Sequence, residues 1–364
     1  MRRVLWFTLL SVGVAAQTPG QSNLSPLMPE LRTAIRNDSL AVAAELANRL
    51  DDAVQQRYNA WLIRDADQRV QEVLTWLPDD TESLWVNQTP FPIKPDDSAE
   101  LLSERPIQLF CVDRLIALNE GNIYRALGRH TVRLVVAAAG QIRRGEFGGP
   151  PSLAVQDVAY FYFFADAVEL PQPDESLQGK PVWHASAKVL SSFITEPGVA
   201  PAQREDENWI ALARPDLLIV VHRRELLAQI LRRIAGGPSS HALPTDLAEW
   251  RQVDRGAPFW GLRHLTAQPK PGREQPPYVA QLPRLEGFAT GVTVRFDPVR
   301  QRLEIRYLSE AQMAPRSGGP DLLARQFDVD HPEPGVWRLI SDIKARGPWP
   351  VHLAMSLLGF WDYR

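Results

Sequence analysis

The chain has 364 residues with 40 Lys and Arg against 43 Asp and Glu, a net charge of −3. That near-balance excludes a general nucleic-acid binder, which needs a basic excess to neutralise phosphates. With 45% hydrophobic and 23% charged residues the composition is that of a globular protein, which excludes wholesale disorder.

At the N-terminus Arg2 and Arg3 precede the apolar run Val4–Ala16, and Gln17-Thr18-Pro19-Gly20 then turns the chain polar. A short basic region, an apolar stretch too short to span a bilayer and small residues before a polar break predict a secretory signal peptide, cleaved after Ala16. The expected location is periplasmic or extracellular, with no transmembrane span after cleavage. Cys111, the single cysteine, cannot form an intramolecular disulfide. It shares helical spacing with Ile107, Phe110, Leu115 and Leu118, which predicts a small core residue, not a nucleophile.

Residues 17–76 form the expected N-terminal helical segment. Leu40, Ala43, Leu46, Leu50 and Val54 step by three and four, and Trp61, Leu62, Val70, Val73 and Leu74 continue the pattern. At Leu77-Pro78-Asp79-Asp80 the character changes, and 82–86 reads as a first strand. A helix over 107–127 and strands over 131–139 and 157–165 follow, with a Gly- and Pro-rich connection at 145–151. These make a first α+β unit, 77–196.

A second unit, 197–364, repeats the theme. Strands are expected at 209–213 and 216–221. A helix whose apolar face is Leu226, Leu227, Ile230, Leu231 and Ile234 stops at Gly236-Gly237-Pro238. Next come a strand near 258–265, a hairpin of 291–296 with 302–307, and a helix over 351–360. Leu170–Lys180 and Gln268–Arg284 carry Pro with little periodicity and are expected as exposed loops. The fold class is therefore α+β: an N-terminal helical segment, then a mixed or antiparallel sheet with packed helices. Leu243-Pro244-Thr245-Asp246 echoes residues 77–80, which allows a duplicated α+β unit.

Two stretches carry a resemblance. One is Leu77-Pro78-Asp79-Asp80-Thr81-Glu82-Ser83-Leu84-Trp85-Val86 with Pro90-Phe91. The other runs from Leu243-Pro244-Thr245-Asp246 through Glu249-Trp250 to Phe259-Trp260-Gly261-Leu262-Arg263-His264. Together they resemble a family of uncharacterised exported bacterial proteins. The resemblance implies export and architecture and gives no residue a role.

Motifs for chemistry are sparse. The sequence has no phosphate-cradling glycine loop, no Gly-x-Ser-x-Gly elbow and no pair of His at the spacing of a helical zinc site. Asp328-Val329-Asp330-His331-Pro332-Glu333 alternates so that Asp328 and Asp330 share one side of an extended segment and His331 and Glu333 the other. Oxygen ligands of this kind suit calcium, but the Gly and closing Glu of a calcium loop are missing, and no metal or cofactor is expected. Asp79, Asp80 and Glu82 sit where a turn needs carboxylates. His264 ends a Trp-rich strand, and Arg223-Arg224 with Arg232-Arg233 make one helix basic. Two readings follow. The first is a non-catalytic exported protein that binds a partner or helps assemble the envelope. The alternative is an exported hydrolase with a dispersed site drawn from Asp79, Asp80, His264 and residues 328–333.

Overall fold

The structure is a computed structural model. It describes residues 64–89, 91–92, 122–128, 130–140, 143–144, 154–155, 157–190, 203–237, 241–265, 289–297, 300–309, 325–347 and 349–359, with Thr33, Val42, Leu46 and Arg49. The signal segment, most of the N-terminal helical segment, Cys111 and the 268–284 loop lie outside the described residues. The chain divides into two compact units, Met1–Asp65 and Ala66–Arg364, and the second carries everything that follows.

The fold is α+β and dominated by one antiparallel sheet. In chain order its strands are β1 (Thr81–Asn87), β2 (Phe91–Pro92), β3 (Thr131–Gly140), β6 (Val158–Phe164), β7 (Glu175–Leu177), β8 (Lys180–Leu190), β9 (Gln203–Arg214), β10 (Leu217–Val221), β11 (Phe259–His264), β12 (Ala289–Asp297), β13 (Arg302–Ser309), β14 (Asp328–Glu333) and β15 (Val336–Asp342). A separate short pair joins β4 (Arg143–Arg144) to β5 (Ala154–Val155). The spatial order is β14-β15-β13-β12-β11-β1-β3-β6-β10-β9-β8-β7, and β2 flanks β3. Strands from 77–196 and from 197–364 interleave along this path.

The central strands are apolar on both sides. β1, β6 and β10 are buried at every position, and the continuous apolar runs of β6 and β10 mark strands covered on both faces. Trp85, Val135, Ala137, Tyr160, Tyr162, Leu218 and Val220 face one core. Leu84, Val86, Leu134, Val136, Phe161, Phe163, Ile219 and Val221 face the other.

Helices cover both sides. Residues 64–76 are helical, and Val70, Val73 and Leu74 of this helix (α1) pack in the second core beside α3 (Arg224–Gly236). Leu226, Leu227, Ile230 and Leu231 of α3 are buried, as its spacing predicts, and Gly237 closes it at φ 83°. The opposite face is covered by α2 (Asn122–Leu127), α5 (Ile343–Arg346) and α6 (Trp349–Leu357). A four-residue helix, α4 (Glu249–Gln252), lies over β11 and β12. Among the described residues no helix is long and apolar enough to cross a membrane.

The expected strands at 82–86, 131–139, 157–165 and 216–221, the 291–307 hairpin and the two later helices form at those places. The differences lie toward the sheet margins. The expected 170–180 loop contains β7, and the strand expected at 209–213 is the end of the longer β9. β8 and β14 intersperse polar residues among the apolar ones, and Arg338 interrupts the apolar run of β15.

Candidate functional site

Registry across β11, β12, β13, β15 and β14 sets out one sheet face in rows. The first is Trp260–Arg295–Glu304–Ile340–Asp328, and the second is Leu262–Thr293–Arg306–Arg338–Asp330. The third is His264–Gly291–Leu308–Val336–Glu333. Trp260 and Leu262 begin these rows inside the second apolar core. Three strands further along, the same face has become charged.

His264 stands at the junction. Its Nδ1 lies 2.9 Å from Glu249 Oε1, and the Glu249 side chain is only 2% exposed whereas that of His264 is 31% exposed. Burying a carboxylate is costly unless it is hydrogen-bonded, so His264 supplies what Glu249 requires. Gly291, the registry partner of His264, makes the room. A Cβ there would overlap the Glu249 carboxylate, and Glu249 Cδ would lie 2.5 Å from it. Glycine inside a strand often marks such a close approach.

The segment carrying Glu249 is pinned on several sides. Trp250 meets Trp260 edge-on at 6.1 Å between ring centroids, and the Arg255 guanidinium lies 4.8 Å from the Trp250 centroid. Arg255 also pairs with Asp67 at 2.9 Å, and Gln88 donates to the Arg255 and Ala257 carbonyls at 2.7 and 2.5 Å.

Beyond α4 the charged groups are cross-linked. Arg306 donates to Glu304 at 2.7 Å and to Gln252 Oε1 at 2.8 Å, while Gln252 Nε2 donates to Glu333 at 2.5 Å. Arg338 forks onto both oxygens of Asp330, Arg346 pairs with Asp328 at 2.7 Å and Arg295 with Asp254 at 3.1 Å. The hydrogen bond from Arg338 holds the Asp330 carboxyl below the usual carboxylate range. Arg306 and Arg338 are direct cross-strand neighbours, an arrangement that repels unless each cation has its own carboxylate. Glu304 and Asp330 provide them.

The opposite face of β11 holds a second ion pair. A bulge between Thr81 and Ser83 accommodates Glu82 as an extra residue, and its carboxylate lies 3.6 Å from the largely buried Arg263 guanidinium. Arg263 also donates to the Leu357 carbonyl at 3.2 Å, tying the end of α6 to the sheet. Burial lowers the basicity of this guanidinium and Glu82 opposes that effect.

The structure therefore disperses most of the residues singled out from the sequence. Asp79 pairs with Arg233, which also donates to the Leu77 carbonyl. Asp80 lies in the adjoining turn. Arg223 pairs with Asp157, Arg224 with Glu175, and Arg232 donates back to the Ala228 carbonyl of its own helix. The basic side of α3 is thus engaged within the molecule. Asp328 and Asp330 share one side of β14 as the alternation predicts, each on its own arginine. His331 lies against the Trp337 ring at 4.6 Å. Among the described residues no group of three His, Cys, Asp or Glu is placed to hold a metal.

His264 alone gained an acid partner in a setting suited to chemistry, and that partner, Glu249, was not singled out. Glu249-Trp250 followed by an isolated strand glycine at 291 was the signal available for it.

No family model and no curated protein matches the chain. Two solved structures, crystal forms I and III of TP0453, align with TM-scores of 0.38 and 0.34 at 9% and 12% identity. They cover 78% and 74% of this chain and 96% and 91% of theirs.

Proposed function

We propose that the protein is exported and acts without catalysis, binding a protein partner at the envelope through the charged face of β12, β13, β15 and β14. The observation that carries this reading is the fixed, alternating ladder of Arg295, Glu304, Arg306, Arg338 and Asp330. Of the described helices, α4 reaches this face, where Gln252 bonds Arg306 and Glu333. Charges immobilised in pairs steer a complementary partner and reject wrong ones more than they add affinity. Export is supported by the Arg2-Arg3 and Val4–Ala16 pattern. The duplicated-unit reading is supported by the 77–80 and 243–246 echo, since the strands that follow, β1 and β11, lie side by side.

The test is a photo-crosslinking residue placed at Arg338 or, on the other side of the sheet margin, at Val329, in cells expressing the full chain. Adducts at 338 and not at 329 are expected. Equal labelling, or none, refutes the charged face as the contact. Deletion of residues 4–14 should move the protein to the cytoplasm, and unchanged fractionation removes the export reading.

One observation favours a second reading, hydrolysis. Glu249 holds Nδ1 of His264, which leaves Nε2 as the nitrogen able to take a proton from water. Hydrolysis of p-nitrophenyl acetate that falls at least tenfold in His264→Ala would support it. Equal rates in the two proteins would exclude it.

A further inference from the structure

On the side of the sheet away from the charged ladder, one row differs from its neighbour. Registry runs it from Ser83 on β1 through Arg263, Val292 and Tyr307 to Trp337 on β15. Val292 and Tyr307 lie in the first core, and Trp337 packs against it. The adjacent row, Gly261–Val294–Ile305–Leu339, is hydrocarbon throughout. Leu358, just past α6, rests on that adjacent row, since a Cβ at Gly261 would lie 2.6 Å from Leu358 Cδ1.

Among the described residues nothing hydrogen-bonds Ser83 Oγ, Arg263 Nε, Tyr307 OH or Trp337 Nε1, although all four atoms are buried. Ser83 and Tyr307 are buried as whole residues, at 0% and 1% exposure. Buried polar atoms are nearly always paired, so four of them in one row call for a partner from outside the chain. Arg263 Nε and Trp337 Nε1 can only donate, and both hydroxyls can do so. Burial raises the Tyr307 phenol above its ordinary range, which keeps its proton in place. The row therefore suits a molecule that accepts. Its charge is decided by Glu82, whose carboxylate already stands 3.6 Å from the Arg263 guanidinium. A second anion would meet repulsion there at close range, and a neutral oxygen would not.

The row reaches the sheet margin at its β15 end. Trp337 is half-buried with the His331 ring 4.6 Å away, and β14 beyond it is exposed throughout. Val329, the registry partner of fully buried Leu339, is 45% exposed. The apolar layer thus comes to the surface beside Trp337, and an apolar molecule has a way in.

We infer that this row binds an uncharged apolar molecule bearing carbonyl oxygen, held over Val292 between Arg263 and Tyr307 with its body toward Trp337. Val292 is the short side chain between two long ones, which leaves the oxygen its place. A mostly apolar lining with a few fixed donors is the usual build of a small-molecule site. The site lies on the opposite face of the strands from the charged ladder and stands or falls without it.

The experiment is fluorescence titration of the purified full chain with the naphthalene ketone prodan. Prodan is uncharged and apolar, and its emission moves to the blue on leaving water and back toward the red when its ketone accepts a hydrogen bond. Tyr307→Phe keeps the ring and removes only the hydroxyl. It should weaken binding about two- to tenfold, the worth of one hydrogen bond, and move the bound emission further to the blue. Its urea midpoint should hold or rise, because an unpaired buried hydroxyl has gone, and that separates lost binding from lost folding. Trp337→Phe should weaken binding as well. Trp250→Phe should not, since its Nε1 is also unpartnered but lies in the other core. Methyl laurate should displace the dye, and laurate, ionised at about pH 8, should not. No binding up to the solubility limit of the dye, an affinity unchanged in Tyr307→Phe, or displacement by laurate as readily as by its ester overturns the inference.

Discussion

The same sheet is built in two ways. Around β3, β6 and β10 the strands read Leu-Val-Val-Ala-Ala-Ala, Ala-Tyr-Phe-Tyr-Phe-Phe and Leu-Leu-Ile-Val-Val, and helices close both faces. Around β12, β13 and β15 the strands alternate, with Val292, Val294, Leu303, Ile305 and Leu339 on the covered face and Arg295, Glu304, Arg306 and Arg338 on the other. Side chains of a strand alternate between its faces, so the two patterns state directly how many faces are covered. Stability is accordingly concentrated in the first region, and the second is free to present charge.

The comparison breaks most visibly at Phe161, fully buried and 6.2 Å from Trp76 across the second core. Phe161→Ala should cost about 3–5 kcal/mol in urea unfolding, the range for deleting a large aromatic from a packed core. An equal cost for Arg306→Ala on the charged face would abolish the distinction between the regions. Next stands Arg263, the exception to an apolar covered face. Arg263→Met removes the guanidinium beside the buried Glu82 carboxylate and frees the end of α6, so a loss of about 3 kcal/mol is expected. Faster amide exchange in Val351–Leu357 should accompany it. Loss of stability with no change in that exchange would show that Arg263 does not hold the helix.

A smaller effect sharpens the boundary between the regions. Gly291→Ala puts a methyl group where the Glu249 carboxylate lies and should cost about 1–3 kcal/mol by displacing it from His264. Glu249→Ala removes the obstacle, so the double variant should be more stable than the sum of the single losses implies. Strict additivity would mean that the two residues do not compete for the same space.

What could be read from the sequence follows the same division. Central strands announced themselves because both faces are apolar, and α3 because its apolar positions end at a glycine pair. β8 and β15 carry less apolar density, and β7 is three residues long, shorter than any periodicity can declare. The site was legible at His264 and in the shared side of Asp328 and Asp330. Glu249 was not, because its partner is 15 positions along the chain and its niche is an absence, the missing Cβ of Gly291. The arginines that absorb Asp79, Asp328 and Asp330 are likewise set by strand registry and helix packing, which no local spacing encodes.

The smallest effect probes how firmly the charged face is held. Arg338 forks onto Asp330 with good geometry, yet the Asp330 side chain is 46% exposed, so the solvent-screened pair should contribute under about 1 kcal/mol. Its signature is the pH dependence. The folded state holds the Asp330 carboxyl below the unfolded value of about 3.9. The contribution is therefore complete at neutral pH and is lost as pH falls below about 4 toward the depressed folded value. Wild type and Asp330→Asn should differ at pH 6 and converge by about pH 2, with the wild type losing more. Parallel curves would show that the fork stores no free energy. The ladder would then be a pattern of charges for a partner to read and would add nothing to the fold.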